Sequence, residues 1–199
     1  MLLLPFPAKA HIFSMVPLGW ALRAAGHDVC FAAQPNPSEA GAFRATGLDT
    51  MWVGDGRDLA EGRRRNPDDA HGPPGSRYRL SEPRAELLTG DYVRGVYELW
   101  VRTFQFLAPR RFVDDLVAFA RQWRPDLVVW DPIMYAGPVA AAVVGVPSMR
   151  LLFAVDQWAR LARRHLDRPD GADPLADWLD GLLAPYGLGF DESMRFGKA

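Results

Sequence analysis

Cysteine is almost missing from this 199-residue chain. The lone Cys30 excludes an internal disulfide framework and a cysteine-rich metal site, and burial is its ordinary fate in an apolar run. A reducing cytoplasm fits that usage. Lysine is confined to Lys9 and Lys198 while arginine is plentiful, a bias we read as genome composition and not as function. Neither sign of charge dominates. The net charge is −1 with acidic and basic residues interspersed, which removes the footprint of a nucleic-acid binder and of a protein held on an anionic membrane. No apolar run approaches the roughly 20 residues needed to cross a bilayer. Met1-Leu2-Leu3-Leu4 is interrupted by Pro5 and Pro7 and lacks the basic leader and cleavage site of a secretory signal. Also missing are a G-x-G-x-x-G after the first strand, a phosphate-binding G-x-x-x-x-G-K-[ST] and an H-E-x-x-H, and the histidines lie far apart. Dinucleotide, P-loop and metal readings lose their main support.

What is present is an apolar half. Hydrophobic residues make up 49% of the chain, enough for one large domain with a real core and a small neutral ligand. Met1 to Leu4 reads as a short strand, and His11 falls in the Pro-flanked turn after it. Met15, Leu18, Leu22 and Ala25 then share one helical face, with Gly26 as a left-handed stop. Asp28 to Ala33 predicts a second strand. Asn36-Pro37-Ser38-Glu39 has the form of a capping box, opening a short helix to Ala45, and Leu48 to Val53 predicts a third strand. This β-α-β-α-β alternation is half of a doubly wound sheet.

Residues 54–83 carry Arg63-Arg64-Arg65 and Gly72-Pro73-Pro74-Gly75 and read as a long, solvated loop. From Asp91 the positions Val93, Val96, Tyr97, Trp100, Phe104 and Leu107 form a helical stripe suited to the core or, alternatively, to a docked protein. A second helix ends near Trp123. Leu127 to Trp130 predicts a buried strand, Ala136 to Val144 a small-residue helix closed by Gly145, and Val146 to Phe153 another strand. Beyond Asp156 the pattern is amphipathic helix, and after about residue 190 no element signal remains, as in an interrupted connection.

Ligands of open α/β sheets bind outside the carboxyl ends of the strands. His11 and Asp131 both follow predicted strands there, and two such exits can lie side by side. Histidine titrates closest to neutral pH, which makes His11 a candidate base with Asp131 as its partner.

The run Leu4-Pro5-Phe6-Pro7-Ala8-Lys9-Ala10-His11, continued by Val16-Pro17-Leu18-Gly19-Trp20-Ala21-Leu22-Arg23-Ala24-Ala25-Gly26-His27-Asp28-Val29, closely resembles the amino terminus of bacterial antibiotic glycosyltransferases, specifically the macrolide deoxysugar transferases of the erythromycin and desosamine type. Pro125-Asp126-Leu127-Val128-Val129-Trp130-Asp131 and Gly145-Val146-Pro147 are similar too, so the likeness covers nearly the whole chain. The resemblance implies a GT-B fold, of which residues 1–199 are the α/β, Rossmann-like amino-terminal domain that binds the acceptor. The carboxyl-terminal domain that binds the donor has no counterpart here. Relative to that family the first strand begins a little late, which leaves open whether the natural start lies upstream of Met1.

By the same resemblance His11 is the acceptor-activating histidine and Asp131 the carboxylate that pairs with it. The implied reaction is inverting transfer of a deoxysugar from a TDP-type nucleotide sugar to a hydroxyl of a macrolide or polyketide aglycone. No cofactor is expected on this chain, and a P450-like auxiliary protein is an implied partner. A macrolactone presents a large hydrocarbon face, so Phe13, Met15, Met134, Tyr135 and Phe153 are candidates for the acceptor wall, with core packing the alternative for each. Two other readings stay open: a non-catalytic module that binds aglycone or a partner, and a stand-alone Rossmann-like enzyme with another nucleotide ligand. The chain alone is expected to be inactive.

Overall fold

The computed structural model describes residues 1–56, 82–168 and 172–197. Among them, β1 (Leu2–Leu4), β2 (Cys30–Ala33), β3 (Asp49–Trp52), β4 (Val128–Trp130) and β5 (Ser148–Arg150) form one parallel sheet in the order β3-β2-β1-β4-β5. Side-chain alternation decides the layering. Leu2 and Leu4, Cys30 and Ala32, and Val128 and Trp130 enter one core; Leu3, Phe31, Ala33 and Val129 enter the other. Strands that are apolar at every position are those a parallel sheet buries on both faces.

Helices α1 (Lys9–Ala24) and α2 (Ala40–Ala45) cover the smaller core. On the opposite face lie α3 (Gly90–Leu107), α4 (Arg110–Trp123), α5 (Ala136–Val144), α6 (Gln157–Leu166) and α7 (Pro174–Leu183), followed by the short α8 (Ser193–Phe196). Local chemistry sets several of their ends. Thr89, Asp156 and Asp173 accept backbone N–H bonds at the starts of α3, α6 and α7, and Gly145 at φ 75° closes α5. The chain winds outward from β1 to β3, then crosses back to lay β4 on the free side of β1. The strand order therefore reverses between β1 and β4, which is where a doubly wound sheet opens its crevice.

Two glycines bring helices close to this central pair. A Cβ at Gly19 of α1 would meet Leu48 Cδ1 at 2.5 Å and Leu3 Cδ1 at 3.2 Å, and one at Gly137 of α5 would meet Trp130 Cβ at 2.5 Å and Leu4 Cδ2 at 3.2 Å.

The structure departs from the sequence reading in four places. His11 lies inside α1, in its first turn, and not in the preceding turn. The segment at Asn36 is no capping box, because the Asn36 amide donates to Pro7 O at 3.1 Å and its Oδ1 accepts from Ser38 Oγ at 2.8 Å; α2 begins only at Ala40. β5 is three residues long instead of eight: after Leu151 N bonds to Trp130 O, the neighbouring chain reaches Pro132, which has no N–H, and the ladder ends. Most of the expected 54–83 loop lies outside the described residues.

The fourth departure lies beyond residue 190. Arg195 in α8 is fully buried. Its guanidinium donates to both Glu192 oxygens at 3.0 Å, to Tyr97 Oη at 2.8 Å and to Asp173 Oδ1 at 3.1 Å, and it also pairs with Asp173 Oδ2. Its carbonyl accepts from Tyr135 Oη and Arg150 Nη1. Burial works against the charge, but the Glu192 and Asp173 bonds raise the Arg195 pKa overall, and burial pushes the Tyr97 and Tyr135 phenols up. At Asp173 burial opposes ionisation, and the bonds from Arg195, Ala176 N and Tyr97 outweigh it, so the carboxyl sits below its ordinary value.

Two outcomes follow for stability. Gly137→Ala presses on a Cβ that cannot move without its backbone, and should destabilise the chain by about 1–3 kcal/mol. Gly19→Ala meets the tip of a flexible leucine and should cost less; urea midpoints of the two variants check the order. A carboxyl whose folded-state pKa is depressed contributes stability that is complete above its unfolded pKa and lost as pH falls through the folded one. The stability gap between wild type and Asp173→Asn should therefore narrow as pH drops below about 4, measured by urea unfolding at several pH values.

Candidate active site

Each half of the site is placed by a strand end. Asp131 directly follows β4, and its N–H donates to Leu4 O at 2.9 Å, one step past the β1–β4 ladder. The segment Pro5 to Ala8 leaves β1 and enters α1, whose core-facing residues are Ile12, Met15 and Gly19. His11 lies on the flank of that face, with Ser14, whose hydroxyl donates to His11 O at 2.7 Å. From there the imidazole meets the exit of β4.

His11 Nδ1 lies 2.7 Å from Asp131 Oδ2. The Asp131 side chain is 1% exposed and that of His11 is 21% exposed. A buried carboxylate needs its lone pairs occupied, and here Oδ1 accepts from Ile133 N at 3.2 Å while the Asp131 carbonyl accepts from Met134 N at 2.8 Å. With the carboxylate as acceptor, Nδ1 carries the proton and Nε2 keeps its lone pair. Two aromatic rings stand edge to face with the imidazole: Phe6 at 5.0 Å between centroids and Phe153 at 4.5 Å.

The five apolar candidates separate. Phe153 is half exposed and touches His11. Phe13 is 38% exposed but lies two residues from His11 and points to another side of α1, beneath Lys9 Nζ. Met15 is buried in the smaller core and Met134 in the larger. Tyr135 is buried as well, its hydroxyl accepting from Trp158 Nε1 at 2.7 Å and donating to Arg195 O. Packing accounts for these three. Leu152 and Val155, near Phe153 in the chain, are exposed as well. Sequence reasoning passed over Phe6, although its place between two prolines at a strand exit was a usable signal.

Among the described residues no three His, Cys, Asp or Glu side chains are grouped to hold a metal ion, and no helix is long and apolar enough to cross a membrane. His165 is buried, stacked on Tyr97 at 4.0 Å, with Nε2 2.9 Å from Ala172 O.

This parallel sheet, with a histidine and a carboxylate meeting at its switch point, is the Rossmann-like architecture of one half of a GT-B glycosyltransferase. Residues 20–193 match the family described as erythromycin biosynthesis protein CIII-like, N-terminal domain, and the chain belongs to that family. His11 precedes the matched span and Asp131 lies within it. The chain is 40% identical to aclacinomycin-T 2-deoxy-L-fucose transferase of Streptomyces galilaeus, over 97% of its own length and 47% of the relative's. It is 38% identical to 3-alpha-mycarosylerythronolide B desosaminyl transferase of Saccharopolyspora erythraea, over 96% and 47%. The crystal structure of glycosyltransferase VinC in complex with DTDP superimposes with a TM-score of 0.82 at 38% identity, covering 98% of this chain and 46% of that one. The chain thus spans about half the length of the relatives it matches.

An ionised carboxylate at Nδ1 favours the tautomer with the proton on Nδ1. Nitrogen-15 NMR of the neutral His11 ring should show the proton on Nδ1, and Asp131→Asn, whose amide presents both a donor and an acceptor, should admit the other tautomer. A wild-type ring protonated at Nε2 would contradict the assignment.

Proposed function

We propose that this chain is the acceptor-binding, base-carrying half of an inverting glycosyltransferase that moves a deoxysugar from a TDP-type nucleotide sugar to a hydroxyl of a macrolide or related polyketide. The 2.7 Å pair between His11 Nδ1 and Asp131 at the sheet's switch point carries this reading, because it leaves Nε2 as a free acceptor beside an apolar surface. The names of the relatives, which are transferases of deoxysugars, support it.

A neutral hydroxyl is a weak nucleophile. As its oxygen bonds to the anomeric carbon, its proton passes to His11 Nε2, and the bond from that carbon to the diphosphate oxygen breaks with its electron pair leaving on the nucleotide. A single displacement inverts the anomeric centre. Asp131 stabilises the imidazolium that forms, and the His11 ring then releases the proton to solvent. General-base assistance contributes about 10²- to 10⁴-fold. The charge growing on the leaving diphosphate belongs to the donor-binding half, and VinC, solved with DTDP, supports TDP chemistry there.

Phe153, Leu152 and Val155 offer the acceptor an apolar face. In a transferase that joins this chain to a donor-binding half, His11→Ala should lower transfer by at least about 10²-fold with circular dichroism unchanged. Product formation would be followed with and without a P450-like auxiliary protein, and near-normal turnover would overturn the base role. The chain by itself, given nucleotide deoxysugar and aglycone, should form no product.

A further inference from the structure

One hydrogen bond holds one point of a ring. With Nδ1 tethered to Asp131, the His11 imidazole is still free to pivot about that bond and to swing Nε2 through its two side-chain torsions. A general base tolerates little of this, since a displacement of about 1 Å can cost 10²-fold in rate. The structure supplies the missing constraint from the same exit of β1 and from one further strand exit, that of β5. Phe6, from the segment after β1, meets the imidazole at 74° between planes, and Phe153, from the segment after β5, meets it at 72°. The two rings are differently supported. Phe6 packs against the larger core, while Phe153 keeps half its surface open.

We propose that Phe6 and Phe153 are positioning residues, a pair of rings that holds the His11 imidazole with Nε2 aimed at the acceptor hydroxyl. The proposal rests on the base role given to His11 above. Phe6 is fixed from behind by the core and steadies the ring against the sheet. Phe153 closes the open side, where it also borders the acceptor surface. Their roles therefore separate experimentally, because only Phe153 is exposed enough to contribute acceptor contact directly.

The test uses Phe6→Leu and Phe153→Leu, which keep apolar bulk and remove the ring, with Phe153→Tyr as the conservative control. In the transferase, both leucine variants should lower kcat about 10- to 100-fold, with the acceptor KM within about twofold in Phe6→Leu and raised only in Phe153→Leu, and Phe153→Tyr should restore kcat. A raised KM with kcat intact in Phe153→Leu would reduce that residue to an acceptor contact and overturn its positioning role; an unaltered kcat in Phe6→Leu would do the same for Phe6. A second readout is independent of turnover. In nitrogen-15 and proton spectra of this chain, the His11 ring should give one sharp set of signals in wild type and shifted or broadened signals in the leucine variants, and unchanged signals would overturn the clamp. If His11→Ala retains turnover, the base role fails, and with it the proposed catalytic purpose of the clamp; the His11 signals then show whether the rings restrain the imidazole at all.

Discussion

His11 and Asp131 are 120 positions apart, and they meet because β1 pairs with β4. The register Leu2 to Val128, Leu3 to Val129 and Leu4 to Trp130 ends both strands at one level, and the bond from Asp131 N to Leu4 O carries the ladder one residue further. Within a strand, a slip of one residue exchanges the two faces. Here it would drive Trp130 from the larger core into the smaller one. The apolar pattern of β4 thus protects the placement of a carboxylate that is not itself apolar. The site inherits its accuracy from the packing beneath it.

Much of this was legible in the sequence because it is carried by local signals. The bounds of α5 coincide with the small-residue run from Ala136 to Val144, and Gly145 ends it as a left-handed glycine must. Asp131 was placed correctly because it directly follows the apolar run Leu127 to Trp130, which reads as a buried parallel strand. His11 was placed at the right end of the sheet but in the wrong element, since Ala8 offers no side-chain cap to mark where α1 begins. What stayed hidden is tertiary. No local pattern shows that Met134 and Tyr135 turn inward to the core, that Asn36 spends its amide on Pro7, or that Arg195, in a stretch without periodicity, is buried among residues distant in the chain.

Two of the described carboxylates, Asp173 and Asp131, are held in opposite electrostatic settings. Asp173 faces the guanidinium of Arg195, and that fixed opposite charge offsets its own, which suits a group that ties α3, α7 and α8 together. Asp131 is held by a backbone N–H and an imidazole nitrogen. Among the described residues no arginine or lysine lies within hydrogen-bond reach of it, so it can interact more strongly with His11 whenever that ring gains a proton. A charge already neutralised has little left to give in a transition state.

Gly19 also sets the mechanics of the site. The close contact at Gly19 makes a fulcrum for α1, with Met15 and Ile12 seated in the same core between it and His11, which lies eight residues away, about 12 Å along the axis. A tilt of about 5° about that point would carry the imidazole through about 1 Å, enough to spoil proton transfer. Trp20, beside the fulcrum, is tethered by its indole N–H to Thr46 O, and Asn36 holds Pro7 just before the far end. With Ile12 and Met15 buried beneath the helix, these two bonds, one near each end of it, add to the packing that opposes such a tilt.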